Sequence, residues 1–218
     1  MLDLLITNAT LPDGRQSISV AVRDGRIVEV APGLQAPAHE TIDASGLLLS
    51  PPFVDAHFHL DSALTYGQPR VNASGTLLEG IALWAELKPT LTHEAIVERA
   101  LAYCDGAVAQ GLLAIRSHVD TSDPRLLAVQ ALLDVKQRVA PYLDLQLVAF
   151  PQDGVLRHPG GLDNLQRALA LGVDVVGGIP HFERTAAQGS ESVRLLCELA
   201  AAQGKRVDMH CDESDDPL

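Results

Sequence analysis

From Pro51-Pro52 onward, five apolar, strand-like runs alternate with long helical patterns. The runs cover 53–59, 112–118, 143–150, 173–179 and 206–210, and each is apolar enough to be buried on both faces. Helical periodicity fills 77–87, 92–110, 124–140, 162–171 and 191–203, with Thr92 and Asp123 placed as N-caps and Gly111, Gly172 and Gly204 as stops. Strands alternating with helices of this length imply a parallel sheet covered by helices. A doubly wound sheet of five strands is the structural alternative, but it does not explain why polar residues gather after so many strand ends. A (β/α)8 barrel does, because its functional residues sit at the C-terminal ends of its strands. Such a barrel needs eight strands, and the sequence stops just after its fifth, so a truncated barrel is expected.

The first 50 residues have a different texture. Short β-rich runs at 3–10, 17–22 and 27–30 are punctuated by Asp13-Gly14 and Asp24-Gly25 turns, which predicts a small antiparallel β unit. A net charge of −12 with only three lysines, Lys88, Lys136 and Lys205, argues against a surface that tracks a phosphate backbone, so no nucleic-acid partner is expected. No apolar run reaches the length of a membrane span, and Met1-Leu2-Asp3 lacks the basic start of a signal peptide. A cytoplasmic protein without a membrane partner is the expectation. Cys104, Cys197 and Cys211 form an odd set without CxxC spacing, which fits reduced thiols packed in the core.

Chemistry concentrates at strand ends. Val54-Asp55-Ala56-His57-Phe58-His59 ends an apolar strand in two histidines two residues apart, so alternation turns both imidazoles to one side, where they can grip one divalent ion. Val207-Asp208-Met209-His210 ends another strand in a third candidate ligand. Glu213, three residues later, would stand beside the ion and carry protons, although alone it would read as a solvated loop acid. Asp212, Asp215 and Asp216 read as a solvated acidic loop, and Cys211 as packing. Gln152 follows the apolar strand Val148-Ala149-Phe150, and its carboxamide offers both a donor and an acceptor, which suits the mixed edge of a pyrimidine; a water-facing loop residue is the alternative. His118 and His181 also end strands; either could help shape the pocket, but a structural hydrogen-bonding role is the default for both. The fourth strand, Val173 to Ile179, contains no lysine that could be carboxylated to bridge two ions, so one catalytic metal is expected.

Taken together, the motifs Pro51-Pro52-Phe53-Val54, His57-Phe58-His59-Leu60-Asp61, Ser74-Gly75-Thr76-Leu77, Trp84-Ala85-Glu86, His118-Val119-Asp120, Phe150-Pro151-Gln152, Pro180-His181-Phe182-Glu183 and His210-Cys211-Asp212-Glu213 resemble the bacterial cytosine deaminases of the amidohydrolase superfamily. The resemblance spans essentially the whole chain. It implies that 1–50 is the N-terminal portion of a small β-sandwich domain and that 51–218 is the first part of a metal-dependent, TIM-like (β/α)8 barrel. It implies one divalent ion, Fe(II) or Zn(II), on His57, His59 and His210. It also implies a pyrimidine held by Gln152 and the Leu77 backbone, and Glu213 as proton shuttle in the hydrolysis of cytosine to uracil and ammonia. The small-molecule pyrimidine and water are the implied partners, with a homo-oligomer when full length. The family's sixth-strand histidine and eighth-strand aspartate have no counterpart among these residues, so 218 residues alone are expected to be inactive or unstable. Isocytosine, 5-methylcytosine or a creatinine-like ring remain alternative substrates, and a non-catalytic metal-binding fragment is the reading from another class.

Overall fold

Nine strands pair into two separate sheets in the computed structural model, which describes residues 1–213. The chain divides accordingly into two units, Met1–Pro52 and Phe53–Leu218. In the first unit, β1 (Leu2–Ala9), β2 (Ile18–Arg23), β3 (Arg26–Pro32) and β4 (Ala38–Asp43) lie in the order β3-β2-β1-β4. β1, β2 and β3 are linked by antiparallel hairpins, whereas β4 runs parallel to β1. The sheet is therefore mixed and not antiparallel as expected. β4 escaped the sequence reading because it is polar and almost wholly exposed, so it carries no alternating apolar signal.

In the second unit, β5 (Phe53–Phe58), β6 (Leu112–Asp120), β7 (Asp144–Phe150), β8 (Val175–Gly178) and β9 (Arg206–Met209) pair in chain order, all parallel. They form a curled half-barrel sheet. The connections carry α1 (Leu77–Leu87), α2 (His93–Ala109), α3 (Leu127–Val139), α4 (Gly161–Ala170) and α5 (Ala186–Ala202). The core lies between sheet and helices: Ile115, Val119, Leu145, Leu147 and Ala149 from the strands meet Val129, Leu132, Leu165 and Leu196 from the helices. Burying each of the Val, Leu and Ile side chains among them stabilises the fold by roughly 1.5–3 kcal/mol.

Several local expectations meet corrections. Thr92 does cap α2, accepting the Ala95 N–H at 3.2 Å. Asp123 does not cap α3: its carboxylate accepts the Arg125 N–H at 2.9 Å in a preceding turn, and the buried Leu126, in left-handed conformation, precedes the helix instead. α5 starts five residues before the predicted 191, capped by Thr185, because Gly189 disguises a helical turn. A Cβ at Gly189 would come within 2.6 Å of the Pro180 carbonyl oxygen, so glycine is there for close approach and not as a breaker. Burial on both faces fails for the outer strands: β5 is largely exposed and β9 only part-buried. Of the three cysteines only Cys104 is in the core; Cys197 and Cys211 are exposed.

Candidate metal centre and substrate cleft

Strand alternation builds the centre in layers. Arg116 on β6 sits beside Gln146 on β7, and it reaches Gln146 Oε1 and the Asp208 carboxylate on β9, each at 2.7 Å. Two residues further along the same strands stand His118 and His210, and His118 Nε2 lies 3.4 Å from Asp208 Oδ1. On β5 the register slips between Asp55 and Phe58. Phe58 turns outward to stack on Tyr103 of α2 at 4.1 Å, while His57 and His59 both enter the cluster.

One ring nitrogen from each of His57, His59, His118 and His210 falls within 4.8 Å of the others. His59 Nε2 and His210 Nε2 are 3.2 Å apart, and the Phe150 ring closes one side at 4.2 Å from the His210 ring. Burial, and then the neighbouring imidazoles, drop the His59 pKa to about 3 and that of His210 to about 4. His118 is lowered for the same two reasons. Packed so closely, the His59, His118 and His210 rings are held neutral with a lone pair available on each, and Nδ1 of His118 and of His210 are buried without a hydrogen-bond partner among the described residues. Such a donor set fits a borderline divalent cation.

Three of the four, His57, His59 and His210, line the floor of a cleft of about 450 Å³ whose walls include Leu77, Trp84, Gln152, His181 and Glu213. The structure thus brings together all six residues singled out from the sequence: His57, His59 and His210 on the floor, Leu77, Gln152 and Glu213 on the walls. Leu77 is the first residue of α1, after the Thr76 cap, so its N–H has no intrahelical acceptor. Asp212, exposed, takes a positive φ of 56° just before Glu213. Asp215 and Asp216 lie outside the described residues.

A structural hydrogen-bonding role is the default expectation for His118 and His181, with shaping the pocket as the alternative. His118 instead completes the cluster, and His181 lines the cleft with a buried Nδ1 that has no partner among the described residues. A second missed feature is a chain of charges under the wall. The Asp120 carboxylate accepts from the Trp84 indole at 2.7 Å and pairs with Lys88 at 2.7 Å, and Lys88 also reaches Asp153 at 3.0 Å. Burial opposes the charge on Lys88, but Asp120 and Asp153 outweigh it and hold the ammonium above its ordinary pKa. Asp61, fully buried, is pushed up to about 7 by desolvation, although it accepts the Asp120 N–H at 2.9 Å. The available signal was the spacing itself: Arg116-x-His118-x-Asp120 repeats the period-2 polar pattern of His57-x-His59-x-Asp61.

Comparison with known proteins gives this geometry relatives. Residues 40–217 match the family model described as "Amidohydrolase family". The N-isopropylammelide isopropyl amidohydrolase of Pseudomonas sp. (strain ADP) is 31% identical over 214 residues, covering 95% of this chain and 53% of that enzyme. The crystal structure of 5-methylcytosine deaminase from Klebsiella pneumoniae liganded with 5-fluorocytosine superposes with a TM-score of 0.93 at 45% identity, over 98% of this chain and 52% of that one. N-isopropylammelide isopropylaminohydrolase from Burkholderia multivorans superposes with a TM-score of 0.79 at 29% identity, over 98% and 54%. The chain spans about half the length of the relatives it matches.

Proposed function

The chain belongs to the amidohydrolase family, and from that premise we propose that its histidine-floored cleft serves the metal-dependent hydrolytic deamination of cytosine to uracil and ammonia. The observation that carries this reading is the convergence of four histidine nitrogens within 4.8 Å, under walls that include Gln152, Leu77 and Glu213. His57, His59 and His210 hold one divalent ion, iron(II) or zinc(II), with His118 beside them. When bound, the ion supplies Lewis-acid activation of water near neutral pH.

The protein's own groups do the rest. Gln152 presents a donor and an acceptor to the mixed edge of the ring, and the Leu77 N–H at the start of α1 offers a second, rigid donor. Glu213 carries one proton of water to the ring nitrogen and then the second to the departing amine, so that the oxygen stays on the ring carbon as the new carbonyl and ammonia leaves. Phe150 and Trp84 keep the cleft apolar around the flat ring.

The second reading is 5-methylcytosine as preferred substrate, favoured by the 45% identity and TM-score of 0.93 to the Klebsiella pneumoniae enzyme. Ammonia release from cytosine, 5-methylcytosine, isocytosine and creatinine, with the full-length gene product loaded separately with iron and zinc, decides between them. Fast release from cytosine that falls by about 10²–10⁴-fold in Glu213→Gln supports the reaction and the shuttle together. Release from 5-methylcytosine alone moves the substrate, and silence across the panel removes the deaminase reading.

A further inference from the structure

Gln152 sits in the turn that leaves β7 and leads to α4, a stretch with no regular secondary structure between Phe150 and Gly161. A side chain on such a loop can orient a substrate only if something fixes the backbone under it. On one side the Asp153 N–H donates to Ser122 Oγ at 3.0 Å, and Lys88 holds the Asp153 carboxylate. On the other side stands Glu183, the last residue of the Pro180-His181-Phe182-Glu183 motif and only 8% exposed.

Glu183 receives three successive backbone N–H groups from the same loop. Its Oε1 accepts from Val155 at 2.8 Å and Leu156 at 3.1 Å, and its Oε2 accepts from Arg157 at 2.7 Å. The loop is shaped around this carboxylate: Gly154 takes φ +85°, and a Cβ there would come within 3.0 Å of Glu183 Oε2. Arg157 returns the contact, placing its guanidinium 4.4 Å from the Phe182 ring centroid and donating to the Phe182 carbonyl at 3.1 Å. A buried carboxylate satisfied by three amides joins the loop after β7 to the loop after β8, and the residue it braces lies three positions from the nearest of those amides.

We infer that Glu183 is a positioning residue for substrate recognition, acting through Gln152 by clamping the 155–157 backbone. The inference rests on the reading of Gln152 as a substrate contact. Removing the clamp lets Gln152 wander by an ångström or so, which weakens recognition while leaving the histidines and Glu213 where they are.

The test has a structural arm and a kinetic arm, both on the full-length gene product. In Glu183→Gln, amide hydrogen exchange at 155–157 is expected to speed by at least tenfold while the β7 amides keep their protection; unchanged exchange overturns the clamp. Kinetically, Glu183→Gln is expected to raise the KM for cytosine about tenfold with kcat changed less than threefold, and to have no further effect in a Gln152→Ala background. A Glu183→Gln effect that persists undiminished beside Gln152→Ala, or that falls on kcat alone, overturns action through Gln152. Gln152→Ala leaving KM unchanged defeats the substrate reading itself, and the exchange result still decides the clamp. Should Glu183→Gln fail to fold, Gly154→Ala attacks the same clamp from the loop side, and Glu183→Asp is expected to restore part of the wild-type KM.

Discussion

The inner and outer strands of the half-barrel divide its labour. On β7, Leu147, Val148 and Ala149 are fully buried, whereas on β5 Phe53 is 63% and Val54 67% exposed, and Val207 on β9 is also open to solvent. Yet His57, His59 and His210, the three proposed metal ligands, come from the ends of the outer strands. Their positions are held through polar ties to β6, α2 and β8. The Leu60 N–H donates to Ser117 Oγ at 2.9 Å, Asp61 accepts the Asp120 N–H, and Arg99 of α2 grips the Asp61 and Ala63 carbonyls at 3.0 Å each. On the opposite side Arg116 holds Asp208, and the His210 N–H donates to the Gly178 carbonyl at 2.9 Å. Among the described residues the inner strands carry the packed core, and the ligand-bearing ends of β5 and β9 are tied to their neighbours by hydrogen bonds.

The largest expected effect lies at the centre. Leu147→Ala removes a fully buried side chain and should destabilise the fold by about 2–5 kcal/mol, read from urea unfolding. A cost below about 1 kcal/mol would mean that β7 is not the packed spine described above.

The next contrast concerns ion binding. His210→Ala should weaken divalent-ion affinity by at least about 100-fold, while His118→Asn on the inner strand should cost about 10–100-fold, as for groups that support ligands. Titration of the metal-free protein with zinc measures both, and equal losses would make His118 a fourth ligand.

How much of this was legible follows from what each signal depends on. The five strands and their helices were readable because burial writes long apolar runs, and the His57/His59 pair and His210 because they interrupt such runs at their ends. β4 and the first turn of α5 were not: one is exposed and polar, the other contains Gly189, whose role is a contact with Pro180 that no local pattern encodes. His118 was set aside for a related reason, since its partners are 59 to 92 residues away and only the curl of the sheet gathers them. Glu183 looked like part of a motif, but its three amide partners belong to the neighbouring loop.

A smaller effect, on pH dependence, separates floor from surroundings. His59 falls from 6.5 to about 3 and His210 from 6.5 to about 4, so the unfolded chain binds protons that the folded, metal-free protein refuses. Stability should therefore decline as pH falls through 6.5 towards 4, by at most about 1.4 kcal/mol per pH unit for each histidine. Asp61 works the other way: raised from 3.8 to about 7, it takes up its proton more readily when folded and adds stability as pH falls through that window. Asp61→Asn should steepen the acid loss, and thermal unfolding between pH 7 and pH 4.5 measures the slope; a flatter profile in the variant would reverse the assignment.

The smallest effect is expected at Phe53, at the start of the outer strand. Its backbone N–H donates to the Gly111 carbonyl at 2.9 Å, and that bond is indifferent to the side chain. With 63% of the residue already exposed, Phe53→Ser surrenders little buried apolar area, and the expected change is within about 0.5 kcal/mol in the same urea experiment. The small number is informative because serine also has the weaker strand preference, which works against the prediction. A loss above about 1 kcal/mol would show that Phe53 is covered in solution, and the contrast between a packed centre and a tethered, open edge would then fail at the strand that carries His57.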